Sequence, residues 1–210
     1  MKHRLALDRW SRKDHFHFFR KFEEPFHGVC VEIDCTGAYR TAKQRGHSFF
    51  LAYLHHALTA ANQTEPFRYR ILDEEVYVYD RVHASPTIDR PDGTFGFSYL
   101  DYHEEFATFV REAEGPIAQV RASTTLFPDH TNHEVAVMHL SALPWLRFTS
   151  LSHARSFSYP DSSPKVSFGK MVEAHGKRTM PVSIHVHHAL VDGRDVGLFV
   201  ERFQELMNPA

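Results

Sequence analysis

The hydrophobic positions of this 210-residue chain follow two periods that alternate along its length. Phe16, Phe19 and Phe22 recur at helical spacing within residues 12–22, and Pro25 and Gly28 then break the run. Val29, Val31, Ile33 and Cys35 alternate with Cys30, Glu32 and Asp34, as in a half-buried strand ending near Thr36-Gly37. Phe49, Phe50, Tyr53, Leu54, Ala57, Leu58 and Ala61 draw a helical stripe. Strands are predicted over residues 75–82 and 84–88, with Tyr77, Tyr79 and Val82 suiting a sheet with one wet face. Residues 102–123 read as a helix interrupted at Gly115-Pro116 and resumed with Ile117 and Val120. A strand over residues 135–140 runs into Ser141, and residues 156–164 form a Ser-, Pro- and Asp-rich loop. Residues 166–171 and 180–187, around a turn at His175-Gly176, read as an antiparallel pair. The closing helix sets Val196, Phe199, Val200, Phe203, Leu206 and Met207 against Glu201, Arg202, Gln204 and Glu205. Strands and helices interleave irregularly, with no repeat or linker, which predicts one α/β domain with a mixed sheet over residues 1–210.

Charge narrows the partners. The balance is 24 − 26 = −2 with histidine neutral, and no basic run exceeds two residues, which argues against nucleic acid or an anionic membrane. No apolar run is long enough to span a bilayer. Cys30 and Cys35, five apart in one predicted strand, point to opposite faces and are expected to stay reduced, which predicts a cytoplasmic setting. The 17 histidines raise a metal hypothesis, with His185 and His187 on one strand face. No HExxH or cysteine pair completes a zinc shell, so no metal is expected.

The chemistry gathers at residues 181–193. Val182, Ile184 and Val186 share one face of a strand, and Ser183, His185 and His187 the other. One step further, His188 falls on the Val/Ile face. A histidine turned to an apolar surface is desolvated, which favours the neutral imidazole that a general base requires. Asp192-Gly193 follows four residues later as a turn. A lone histidine here would most simply be a hydrogen-bonded core residue. His55-His56-Ala57-Leu58 repeats the tetrad, but Ala60 stands where the aspartate would be, and that copy reads as part of a helix.

HHALVDG closing a strand before a terminal helix resembles the HHxxxDG signature of coenzyme A-dependent acyltransferases. Three further segments are similar to the chloramphenicol acetyltransferase family in order: Trp10-Ser11-Arg12-Lys13-Asp14-His15-Phe16, Ser141-Ala142-Leu143-Pro144-Trp145 and Phe148-Thr149-Ser150. The SALPW segment and the short single-domain length separate this chain from dihydrolipoamide acyltransferase cores and peptide-synthetase condensation domains. The resemblance implies a mixed-sheet sandwich assembling as a homotrimer, with sites at subunit interfaces. It implies acetyl-CoA as co-substrate and a small hydroxyl compound, chloramphenicol first, as acceptor, so that the reaction would be antibiotic inactivation; the alternatives are O-acetylation of a different small alcohol, or a non-catalytic trimeric binding protein of the same fold.

The resemblance also assigns roles. His188 becomes the general base, and Ser141 the hydroxyl donor to the oxyanion. Asp192 and Arg12 become an ion pair that holds the turn. Trp145, Lys170 and Phe50 would line the coenzyme channel. Ser167, Phe18, Phe95 and His153 would face the acceptor. Three positions depart from the pattern: Ser48 replaces a lysine before Phe49-Phe50, Met171 replaces an aromatic after Lys170, and His153 replaces a leucine.

Overall fold

The structure, a computed structural model, describes residues 1–128 and 136–209. Its frame is a seven-stranded mixed sheet. Along one path run β2 (Phe26–Asp34), β10 (Lys177–His187), β8 (Lys165–Phe168), β7 (Val137–Ala142), β5 (His83–Asp89) and β6 (Phe95–Phe97), and β9 (Val172–Ala174) pairs with β10. The β5–β7 and β7–β8 pairs are parallel and the others antiparallel. A smaller antiparallel sheet orders β1 (Lys2–Arg4), β4 (Glu75–Tyr79) and β3 (Tyr69–Leu72). The helices are α1 (Lys13–Phe19), α2 (Thr36–Gln44), α3 (Phe49–Gln63), α4 (Phe106–Ala122) and α5 (Gly193–Met207).

Residues paired across strands share a face of the sheet. Val182 opposes Phe168, and Ile184 opposes Val166, which opposes Leu140. This apolar face receives the helices: Tyr53 of α3 meets the Phe168 ring at 4.6 Å, and Phe203 of α5 meets it at 6.1 Å. Phe199 of α5 stacks on Phe67 at 4.4 Å. The opposite face is polar, with His139, Ser141, Lys165, Ser167, Ser183, His185 and His187 in register. It is nonetheless covered, because the chain from His153 to Pro164 folds over it. Arg155 lies 3.5 Å over the Phe26 ring and pairs with Glu24 at 2.9 Å, and Asp161 pairs with Lys165. Four of the 17 histidines, His139, His153, His185 and His187, lie on or over this second face, and beyond its first three residues β10 has little wet surface: Ser183 is fully buried and His187 nearly so.

Several expectations shift. Helix α4 is continuous through Pro116 and begins at Phe106, where Glu105 caps it by accepting from the Ala107 and Thr108 amides. Pro116 has no amide for the Glu112 carbonyl, but Glu112 and Gly115 are exposed, so water meets that carbonyl and the helix carries on. Strand β2 ends at Asp34, leaving Cys35 at the start of α2, and both cysteines are free. The strand expected over 135–140 is β7, and Val135 lies outside the described residues. The second histidine pair is helical, within α3, where the His55 ring meets the His103 carbonyl at 2.9 Å.

Candidate active site

The described residues place the sequence-predicted groups in two clusters at opposite ends of the central strands. At the C-terminal end of β10 the strand stops at His187, and the chain turns through residues 188–192 into α5. The His188 ring still leaves on the apolar side, against His27 of β2 at 4.4 Å and stacked on Phe19 of α1 at 3.9 Å. It is half-buried, with Nδ1 buried and without a partner among the described residues. Phe18, exposed on α1, extends this aromatic wall and meets Phe19 at 5.0 Å.

Asp192 does two things at once. As the residue before α5 it accepts from the Arg194 and Asp195 amides, and the Asp195 carboxylate returns to the Asp192 amide at 3.1 Å, a reciprocal capping box. Its other oxygen pairs with Arg12 at the start of α1. Arg12 Nη2 also donates to the His188 carbonyl at 3.2 Å, so one guanidinium joins the carboxylate to the His188 backbone. Burial would raise the Asp192 carboxyl, but the Asp195 amide and the Arg12 charge outweigh it and hold it below the usual range. The expected Arg12–Asp192 pair is therefore formed, and it acts on the turn rather than on the imidazole nitrogens.

The second cluster sits at the C-terminal ends of β7 and β8. Ser141 opposes Ser167, which opposes Ser183, a row of hydroxyls across three strands. Ser167 is fully buried, and its Oγ lies 3.5 Å from His153 Nε2. The His153 ring meets His185 edge-on at 4.8 Å, and His185 Nδ1 lies 3.2 Å from Ser183 Oγ. Burial, followed by the neighbouring His185, lowers the His153 pKa to about 4, which leaves it uncharged at neutral pH. The His185 ring rests where a Cβ on Gly28 would approach within 2.3 Å, so any larger residue at that strand position would displace the ring.

The remaining residues border this second cluster. The Lys170 amide donates to the Leu146 carbonyl at 2.7 Å, which draws the exposed Trp145 loop and Lys170 together. A Cβ at the intervening Gly169 would come within 2.9 Å of that carbonyl. Phe50 reaches the same end of the sheet through Tyr53, at 5.6 Å, which in turn packs on Phe168. Phe95 on β6 is exposed beside Phe97, whose partner Thr87 is one residue beyond the Pro86–Leu140 pair. Ser48 caps α3, accepting from the Leu51 amide at 3.4 Å, and Met171 packs against the core.

Within one chain, His188 and Ser141 do not meet. Ser183 marks the Ser141 row, and His187 lies four residues beyond it, about 13 Å along the strand and two strand spacings, about 10 Å, across. His27 and Phe19, which touch the candidate base, carry no motif and were not expected there. Among the described residues no group of three or more His, Cys, Asp or Glu is arranged to hold a metal, and no helix is long and apolar enough to cross a membrane.

A family model described as chloramphenicol acetyltransferase matches residues 2–204. The chloramphenicol acetyltransferase of Klebsiella sp. is 28% identical, over 96% of this chain and 91% of its own length. Chloramphenicol acetyltransferase 3 of Escherichia coli is also 28% identical, over 98% and 96%. A solved chloramphenicol acetyltransferase superposes with a TM-score of 0.92 at 32% identity, covering 99% of this chain and 100% of that one. The dihydrolipoamide acetyltransferase of Azotobacter vinelandii shares the fold, at a TM-score of 0.66 and 17% identity over 93% of this chain and 86% of that one. The class these likenesses define is a coenzyme A-dependent acyltransferase. Within it, the chain belongs to the chloramphenicol acetyltransferase family.

Proposed function

We propose that the protein transfers the acetyl group of acetyl-CoA to a hydroxyl of a small acceptor, chloramphenicol first, and so inactivates the antibiotic. His188 takes the hydroxyl proton as the alcohol attacks the thioester carbonyl. Ser141 donates to the tetrahedral oxyanion, whose collapse expels the coenzyme thiolate, and the imidazolium returns the proton to it. Trp145, Lys170 and Phe50 flank the coenzyme, while Ser167, His153, Phe18 and Phe95 line the acceptor side.

The observation that carries this reading is the division of the site within one chain. An imidazole stacked on Phe19 and a hydroxyl row around Ser141 stand too far apart to share a substrate, so a second copy must supply the missing half. A homotrimer in which each His188 faces its neighbour's Ser141 closes the arrangement symmetrically. The free cysteines and the choice of coenzyme support a cytoplasmic setting.

The direct assay follows free thiol after mixing protein, acetyl-CoA and chloramphenicol; thiol release that depends on both substrates is expected, and none would reject the reading. Subunit pairing has its own test. His188→Ala and Ser141→Ala protein, each strongly impaired alone, should regain activity above either variant when unfolded together and reassembled. No recovery in verified mixed oligomers would confine the site to one chain. His153 beside Ser167 favours a second reading, in which another hydroxylated compound is the better acceptor; a panel of alcohols in the same assay separates the two.

A further inference from the structure

His27 lies on β2 opposite Val186, on the face from which the His188 ring emerges. Its Nε2 is 3.3 Å from the carbonyl oxygen of Val191, inside the turn that carries His188. Its ring approaches the His188 ring to 4.4 Å, while Phe19 stacks on that imidazole at 3.9 Å. The same stretch of chain grips the turn a second time, since the His188 amide donates to the Pro25 carbonyl at 2.8 Å. Burial lowers the His27 pKa, against the opposing pull of the Val191 carbonyl, so the ring is uncharged at neutral pH and carries one N–H. A carbonyl oxygen accepts and never donates, so the proton must sit on Nε2 and Nδ1 must be bare.

The turn between β10 and α5 is thus held from three sides. Pro25 holds its first amide, Arg12 and Asp192 its first carbonyl and last residue, and His27 the carbonyl of Val191. The first two fix where the His188 backbone lies. The contact at His27 bears on the ring as well, because the same imidazole that fastens Val191 forms one wall of the space the ring occupies.

We propose that His27, as its Nε2–H tautomer, is a positioning residue for acyl transfer: it anchors the Val191 carbonyl and confines the His188 imidazole against Phe19. This rests on His188 being the base. It implies that His27 acts on the rate of the chemical step and not on substrate affinity, since a small misplacement of a reacting group costs orders of magnitude in rate.

Three measurements on the full-length protein test it. Long-range ¹⁵N–¹H correlation of the wild-type histidines, with His27 assigned by its loss in His27→Gln, should show Nε2 protonated and Nδ1 bare; the reverse tautomer overturns the proposal. His27→Phe keeps an aromatic wall but removes the donor, and should lower kcat about tenfold with KM for acetyl-CoA and acceptor within twofold. His27→Gln offers an amide N–H in place of the ring donor and should recover most of that loss. Wild-type kcat in His27→Phe, an effect confined to KM, or equal impairment of both variants would each overturn it. If wild-type protein transfers no acetyl group, the reading of His188 fails first, and the tautomer alone then decides whether His27 anchors the turn.

Discussion

At the scale of single residues, the proposed chemistry divides between His188 and Ser141, and their losses should look different. His188→Ala removes the proton acceptor, and turnover should fall by roughly 10²–10⁴-fold with the fold intact. Wild-type-like turnover in that variant would end its candidacy as base. Ser141→Ala removes a donor needed most by the oxyanion, so kcat should fall by about 10²-fold while KM barely moves; a change in KM alone would make it a binding residue. Both were legible because HHxxxDG and SALPW are local patterns. His27 was not, because the carbonyl it meets lies 164 residues further along the chain.

At the scale of elements, the clearest reading was α5, whose apolar stripe reappears in the structure, while Asp192, read from sequence as part of a turn, is the residue that caps it. Its cap and its ion pair can be separated by substitution. Asp192→Asn retains a capping side chain but loses the charge facing Arg12, whereas Asp192→Ala loses both. The alanine variant should therefore melt a few degrees below the asparagine variant, reflecting about 1 kcal/mol of capping in a chain of this size. Identical melting in calorimetry would mean that the cap contributes nothing. Elements with weak patterns escaped notice. Helix α2 buries only Ala38 and Ala42, too slight a stripe to stand out. Strand β3 is interrupted in sequence by Arg70, which is fully buried and donates to the carbonyls of Phe67, Tyr69 and Val137 at 2.9, 2.6 and 2.6 Å. Propensity marks a charged residue as surface, and here three backbone acceptors reverse that. Pro116 misled in the opposite direction, since α4 runs unbroken from Phe106 to Ala122 with the proline inside it.

At the scale of the whole molecule, the buried polar face makes stability depend on pH. Burial, followed by nearby Lys165, Arg155 and His185 respectively, lowers His139, His187 and His153 to about 4. In the unfolded chain each returns to about 6.5. Between those values the unfolded state binds more protons, so stability rises with pH, is complete above about 6.5 and drains away as pH falls toward 4. The melting temperature should drop steadily from pH 7 to pH 5, and His187→Gln should flatten that slope; equal melting at both pH values would contradict the burial of these rings. The α/β class and mixed sheet were readable from periodicity. The division of the site was not, because strand register, which separates Ser141 from His188, is a property of pairing and not of any one segment.

The position of β10, between β2 and β8, also governs the order in which the protein can come into being. A ribosome threads this chain out from its N-terminal side, so β2 and β8 must wait, with the edges that flank β10 unpaired, until residues 177–187 emerge to fill the gap between them. Every nascent chain short of that point lacks the strand that joins β2 to the rest of the sheet and the His188 imidazole beyond it. Synthesis thus passes through an interval of open edges, in which other half-made chains and chaperones compete for the same backbone.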